Sequence, residues 1–100
     1  MARFDVHPMP GGGEGYVVDV QADLLSHLST RVVVPLLPEA AVPRPIGELN
    51  PVYDVRGVLH VLVTQAIASI PGRKLKRSVF GFAEHRDSIT RALDFLLVGF

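Results

Sequence analysis

His27, Ser29, Thr30 and Arg31 stand close together in the chain, and their types are those that cleavage of a phosphodiester would use. Such a reaction needs a general base, a general acid and a cation beside the phosphate. Nothing in their spacing gathers them around one phosphate, so the stretch holds capable groups without a site. The other histidines add little. His7, His27, His60 and His85 are scattered, no pair has metal-ligand spacing, and His85 falls on the core side of a helix, where packing accounts for it. Gly11-Gly12-Gly13 lacks the Gly-Lys-Ser/Thr ending of a phosphate loop. The absence of cysteine removes disulfides, thiolate zinc centres and a cysteine nucleophile together. These residues point to no enzyme, no metal and no cofactor, which leaves binding as the chemistry to look for.

Ten basic and ten acidic side chains cancel, which argues against a protein that works mainly by gripping nucleic acid. The basic cluster of Arg73, Lys74, Lys76 and Arg77 reads as a solvated loop. Its functional reading is contact with acidic side chains of a partner or with phosphates. At 48% hydrophobic and 20% charged residues, the chain is a globular one, expected to form a single domain over residues 1–100. A chain of this size has a real core, yet a dimer interface would add materially to its stability. Met1-Ala2-Arg3-Phe4-Asp5 is not a signal peptide, and no apolar run approaches the roughly 20 residues of a membrane span, so a cytoplasmic protein is expected.

The strongest binding signal is Leu96-Leu97-Val98-Gly99-Phe100. Chain ends are usually polar and frayed unless something ties them down. This one follows a helical segment from Glu84, in which Ile89, Ala92, Leu93, Leu96 and Phe100 recur as one core-facing stripe. Asp87 and Arg91 stand one turn apart, and Glu84 and Asp87 lie near the positive end of the helix dipole. Phe95 and Val98 do not fit the stripe. At about 100° per residue, Val98 falls nearly opposite Ile89 and Phe95 roughly 120° away. Burying a Phe or Val side chain is worth roughly 1.5–3 kcal/mol each, so an exposed pair forgoes stability that a partner surface would recover.

The elements that must carry this helix read as β. Arg3 to His7 alternates with Phe4 and Val6 on one side, and Tyr16 to Gln21 alternates again. Pro8 to Gly15 between them reads as a flexible connection. A third strand over Arg31 to Val34 has three consecutive valines, which predicts cover on both faces. Pro35, Pro38, Pro43, Pro45 and Pro51 predict irregular chain from Pro35 to Pro51. Pro51 to Asp54 leads through Val55-Arg56-Gly57 into Val58 to Thr64, a hairpin whose second strand places Leu59, Val61 and Val63 on one face. The sum is an antiparallel barrel or sheet closed by one C-terminal helix.

The order of short motifs resembles a known family. Phe4-Asp5-Val6, then Val18 to Leu25, then Arg31 to Leu36 look like the first half of CcdB-type toxins. Asn50-Pro51-Val52, Ala68-Ser69-Ile70-Pro71 and the helix from His85-Arg86 to Gly99-Phe100 resemble the second half. The resemblance implies an SH3-like antiparallel β-barrel with one C-terminal α-helix, a homodimer, and no enzymatic activity. It implies a toxin of a toxin–antitoxin pair that poisons DNA gyrase by binding the A chain of that enzyme. A cognate antitoxin neutralises such a toxin, and the two together bind operator DNA. The same barrel is shared with MazF-type toxins, which cleave single-stranded RNA without a metal, and His27 to Arg31 would be the residues to serve that alternative. A degenerate, non-toxic relative that still pairs with antitoxin is a third reading.

Carried over residue by residue, the resemblance places gyrase contact at Leu24, Leu25, Asp94, Leu97, Val98, Gly99 and Phe100. The family closes on Trp-Gly-apolar, and here Val98 stands where the Trp is found. Val cannot stack on a cation as an indole does, an interaction of about 0.5–2 kcal/mol. In the family the loop after the first strand is charged and helps hold the antitoxin. Here it is Met9, Pro10, Gly11, Gly12, Gly13 and Glu14, with Glu14 its sole charge. The Leu24-Leu25 pair also reads, on sequence grounds, as two ordinary core leucines.

Overall fold

A computed structural model describes residues 2–100. Seven strands form one antiparallel sheet: β1 (Asp5–Pro8), β2 (Tyr16–Asp19), β3 (Thr30–Pro38), β4 (Val52–Val55), β5 (Val58–Leu62), β6 (Ala68–Pro71) and β7 (Phe80–Gly81). They run in the order β4-β5-β3-β2-β1-β7, with β6 on β3, and α1 (Arg86–Leu97) follows. The order bends the sheet into a half-barrel. Its two ends meet through side chains: the Tyr53 and Phe82 rings are 5.1 Å apart, and the Arg56 guanidinium lies 5.5 Å from the Phe80 ring.

β3 is the hub. It pairs with β2 along one edge, and its other edge is shared by β6, on Thr30 to Val33, and β5, on Leu36 to Pro38. The three valines are covered on both faces, as a central strand requires: Val33 and Val34 are buried and Val32 is half-buried. The expectation of irregular chain from Pro35 is corrected, because β3 runs on to Pro38. The Pro35 carbonyl accepts the Val63 N–H at 2.8 Å, so the missing N–H of Pro35 points to the same edge, at the junction where β6 ends and β5 begins. The register sets that missing N–H opposite the Val63 carbonyl, which accepts the Ala66 N–H at 3.0 Å instead, so the proline leaves no acceptor unpaired.

Val6, Val18 and Val34 lie in register and form the inner face, with Phe4, Leu36, Leu62 and Phe82 around them. The helix lays Ile89, Ala92 and Leu93 on this core. β4 and β5 are joined by Arg56-Gly57 alone, both with positive φ (54° and 85°), the two-residue turn that a twisted hairpin favours. The predicted face of Leu59, Val61 and Val63 does not hold, since Leu59 is exposed while His60, Val61 and Leu62 are buried in sequence. β5 is covered on both faces at this end and on neither side near its turn.

Tyr53 sits between Phe82 and His85, whose ring is 4.5 Å away, with its hydroxyl 2.5 Å from Ser88 Oγ. Burial pushes the phenol above its ordinary range, partly offset by the Ser88 bond. The folded protein holds this proton more tightly than the unfolded chain. Stability is therefore full below the unfolded tyrosine pKa and falls as pH rises through the folded one. Denaturant melts above pH 10 should show this loss, and Tyr53→Phe should remove that part of the pH dependence.

Candidate partner-binding surface

The helix ends in a glycine that changes the direction of the chain. Val98 N–H donates to the Asp94 carbonyl at 2.8 Å, and Gly99 N–H to the Phe95 carbonyl at 3.1 Å. Gly99 has φ +93°, the left-handed conformation that ends helices and that L side chains rarely adopt. Nothing lies within 4 Å of a Cβ built on it, so the demand for glycine is conformational and not steric. Beyond it the helical period no longer applies. The expectation that Phe100 lies on the core stripe is corrected: it is 88% exposed, and Leu96 is only half-buried.

Leu97 and Val98 are 72% and 59% exposed, and Phe95 is exposed as its position off the stripe predicts. Phe100 helps line a groove of about 560 Å³ along the polar side of α1, with Arg3, Arg86, Asp87, Thr90, Arg91 and Asp94. Asp87 and Arg91 keep their one-turn spacing but make no ion pair within 4.0 Å. The single salt bridge among the described residues is elsewhere, between Asp19 and Arg31.

Leu24 and Leu25 are not core residues. They lie in a short 3-10 turn, Asp23–Leu25, and Leu24 is 87% exposed. This turn meets the groove through Arg3. The Asp23 carboxylate accepts the Arg3 backbone N–H at 2.8 Å, Arg3 Nε donates to the Val20 carbonyl at 3.1 Å, and the guanidinium lies 4.5 Å over the Phe4 ring. Phe4 itself is buried with φ +71°, an uncommon conformation for a bulky residue. Asp23, next to Leu24 in the chain, lines a pocket with Arg3, Phe4, Ala83 and Arg86, and Arg3 and Arg86 also line the groove of Asp94 and Phe100. Arg3 and Arg86 line this groove too, and the sequence reading missed them. No periodicity marks Arg3, whose place depends on a contact twenty residues away in the chain.

Met9 to Glu14 lie apart. The register of β1 on β2 places this loop at the Pro8/Tyr16 end of the strand pair, while Arg3 sits beyond the Asp5/Asp19 end. The loop is a defined turn, with Gly11 and Gly12 at φ +83° and +82° and Met9 N–H donating to the Gly15 carbonyl at 3.3 Å. A Cβ on Gly15 would meet the Leu36 carbonyl oxygen at 2.6 Å, so the glycine there admits β3. Gly11 to Glu14 are exposed, while Met9 and Pro10 are half-buried.

The group considered for phosphodiester chemistry is dismantled by the fold. His27, Ser29 and Thr30 are exposed, but Arg31 is 1% exposed and turned away from solvent. Its Nη2 and Nε donate to Asp19 Oδ2 at 2.6 and 3.0 Å. A guanidinium so committed cannot reach a bound phosphate. No three potential metal ligands come together among the described residues. His7 Nδ1 donates to the Lys76 carbonyl at 2.7 Å, and His85 packs on Tyr53 and Phe82, in line with structural roles. Arg73, Lys74, Lys76 and Arg77 lie on the connection from β6 to β7, largely open to solvent.

The family described as CcdB protein matches residues 3–99 of this chain. No curated protein matches it in sequence. Among solved structures, the fold is similar to Mycobacterium tuberculosis toxin MazF-mt6, with TM-score 0.72 and 16% identity over 90% of this chain and 92% of that one. It is also similar to an endoribonuclease in complex with its cognate antitoxin from mycobacterial species, with TM-score 0.77 and 16% identity over 97% and 94%. Among the described residues, no helix is long and apolar enough to cross a membrane.

Proposed function

The chain belongs to the CcdB family, a family of toxin–antitoxin toxins, and from that premise we propose that it is a homodimeric toxin acting by binding, with the A chain of DNA gyrase as its target. The observation that carries the proposal is the tip: Leu97 and Val98 are exposed at the end of α1, and a left-handed Gly99 turns Phe100 out of the core, beside Arg3, which bonds to the Asp23–Leu25 turn. Exposed apolar side chains on a rigid helix end suit a protein interface, where a few buried anchors supply most of the energy. The cognate antitoxin docks through Met9 to Glu14 on this reading. That loop lies apart from the tip, which leaves room for an antitoxin to engage toxin already on its target. Operator DNA is bound only as the toxin–antitoxin pair, since the balanced charge supplies no basic field.

Induction in bacteria with and without a gyrase mutation that confers CcdB resistance tests the target. Growth arrest confined to the sensitive strain supports gyrase; equal arrest in both strains rejects it, and no arrest in either favours the non-toxic reading. Val98→Trp restores the family's aromatic anchor and is expected to tighten binding to a gyrase fragment about ten-fold or more, the range of one cation–π contact with its buried area. Unchanged affinity in a direct titration would show that the two interfaces differ.

The likeness to endoribonuclease toxins keeps RNA cleavage as the second reading. Incubating the intact protein with RNA decides it, because specific fragments from wild-type protein would require a site other than one built on the buried Arg31.

A further inference from the structure

Every residue from Ala22 to Thr30 is exposed, so the Leu24–Leu25 turn has little apolar packing to fix it. What fixes it is polar. Gln21 is 7% exposed, donates from Nε2 to the Leu25 carbonyl at 2.9 Å, and accepts the Val32 N–H on Oε1 at 3.0 Å. One side-chain amide therefore bridges the turn and the central strand. β2 ends at Asp19, and although the Val20 N–H still donates to the Val32 carbonyl, the return bond is not made: the Val20 carbonyl accepts Arg3 Nε, and Gln21 Oε1 takes the Val32 N–H. The backbone that carries this side chain is itself anchored. The Gln21 backbone N–H donates to Asp19 Oδ1 at 3.0 Å, and Arg31 holds the other carboxylate oxygen, with both charged groups fully buried.

We propose that Gln21 is the positioning residue of the partner-binding turn: its side-chain amide, carried on a backbone that the buried Asp19–Arg31 pair anchors, sets the angle at which Leu24 and Leu25 leave the surface. The proposal rests on the reading of Leu24 and Leu25 as partner contacts. Its physical core is separate, because it states that one buried amide governs an exposed turn. Glutamine fits because it is planar and carries both a donor and an acceptor at the needed reach. A glutamate of the same shape keeps the acceptor and loses the donor.

Gln21→Glu is the test. The Val32 bond persists, while a carboxylate oxygen replaces the donor beside the Leu25 carbonyl, which also accepts the Leu28 N–H at 3.1 Å. The buried carboxylate lowers global stability, and amide exchange at Leu28 is expected to speed up about ten-fold more than exchange in β1 to β3, the equivalent of one lost hydrogen bond. Affinity for a gyrase fragment is expected to fall by a similar factor, and Gln21→Glu with Leu24→Ser should bind no more weakly than Leu24→Ser alone. Exchange at Leu28 that rises no more than in β1 to β3 overturns the proposal, as do additive losses in the double variant. If wild-type protein does not bind the gyrase fragment, the gyrase reading fails and exchange alone decides the role of Gln21. The native protein offers a further check that needs no variant. The Gln21 side-chain amide protons should exchange at least about ten-fold more slowly than those of a free glutamine, and solvent-rate exchange overturns the assignment.

Discussion

Deleting Leu97 to Phe100 is expected to weaken binding to DNA gyrase by at least about a hundred-fold while leaving the fold in place. The deletion removes three exposed apolar side chains, and each is worth roughly 1.5–3 kcal/mol if covered by a partner. Loss of even two of them corresponds to about a hundred-fold in affinity. The helix keeps its hold on the core, since Ile89, Ala92 and Leu93 lie upstream of the cut. Thermal melts should shift little, while growth arrest on induction disappears. Single changes at Gly99 separate shape from chemistry. Asn accepts the left-handed conformation and should retain most activity, whereas Arg adds both backbone strain and charge and should abolish it. If the truncated and intact proteins arrest growth equally, the tip is not the working surface.

The second large effect is on stability. Arg31→Ala leaves the Asp19 carboxylate buried without its partner, and such a break costs about 3–5 kcal/mol. In a domain of this size that is a large share of a total near 5–15 kcal/mol, and a drop in melting temperature of about 15 °C or more follows. Replacing both residues, as Asp19→Leu with Arg31→Met, should recover much of the loss, because no lone charge remains. Urea unfolding of the two variants measures the difference. An Arg31→Ala protein within about 1 kcal/mol of wild type would mean that the pair is dispensable. The same reasoning bears on any RNA assay, since inactivity of Arg31→Ala would report a damaged fold and not a lost catalytic cation.

The Asp19–Arg31 pair and the Gln21 amide also tie stability to the Leu24–Leu25 turn. The charged pair is buried on the sheet face opposite the hydrophobic core, together with His7, Val17 and Val33. A carboxylate in that place does two tasks through different oxygens: Oδ2 takes Arg31 and Oδ1 takes the Gln21 N–H. Changes that disturb the pair should therefore also loosen Leu24 and Leu25, although neither member of the pair is open to a partner.

Local order carries much of this protein. The Ile89, Ala92 and Leu93 stripe, the Val32 to Val34 run and the Arg56-Gly57 turn are properties of near neighbours in the chain, and the fold follows each of them. Family membership rests on the same kind of information, spread in order across residues 3–99. What periodicity cannot supply is the outcome of pairing between distant segments. Strand β3 runs through Pro35 because its missing N–H falls at the junction of two partner strands, which only the register decides. Arg31 is a structural residue because Asp19, twelve positions away, lies diagonal to it across β2 and β3. Arg3 joins the leucine turn to the tip through Asp23, and Phe100 leaves the helical stripe because one left-handed glycine ends the period that placed it there. Side-chain type and spacing set which groups could bind; the register and one backbone angle set which of them reach the surface.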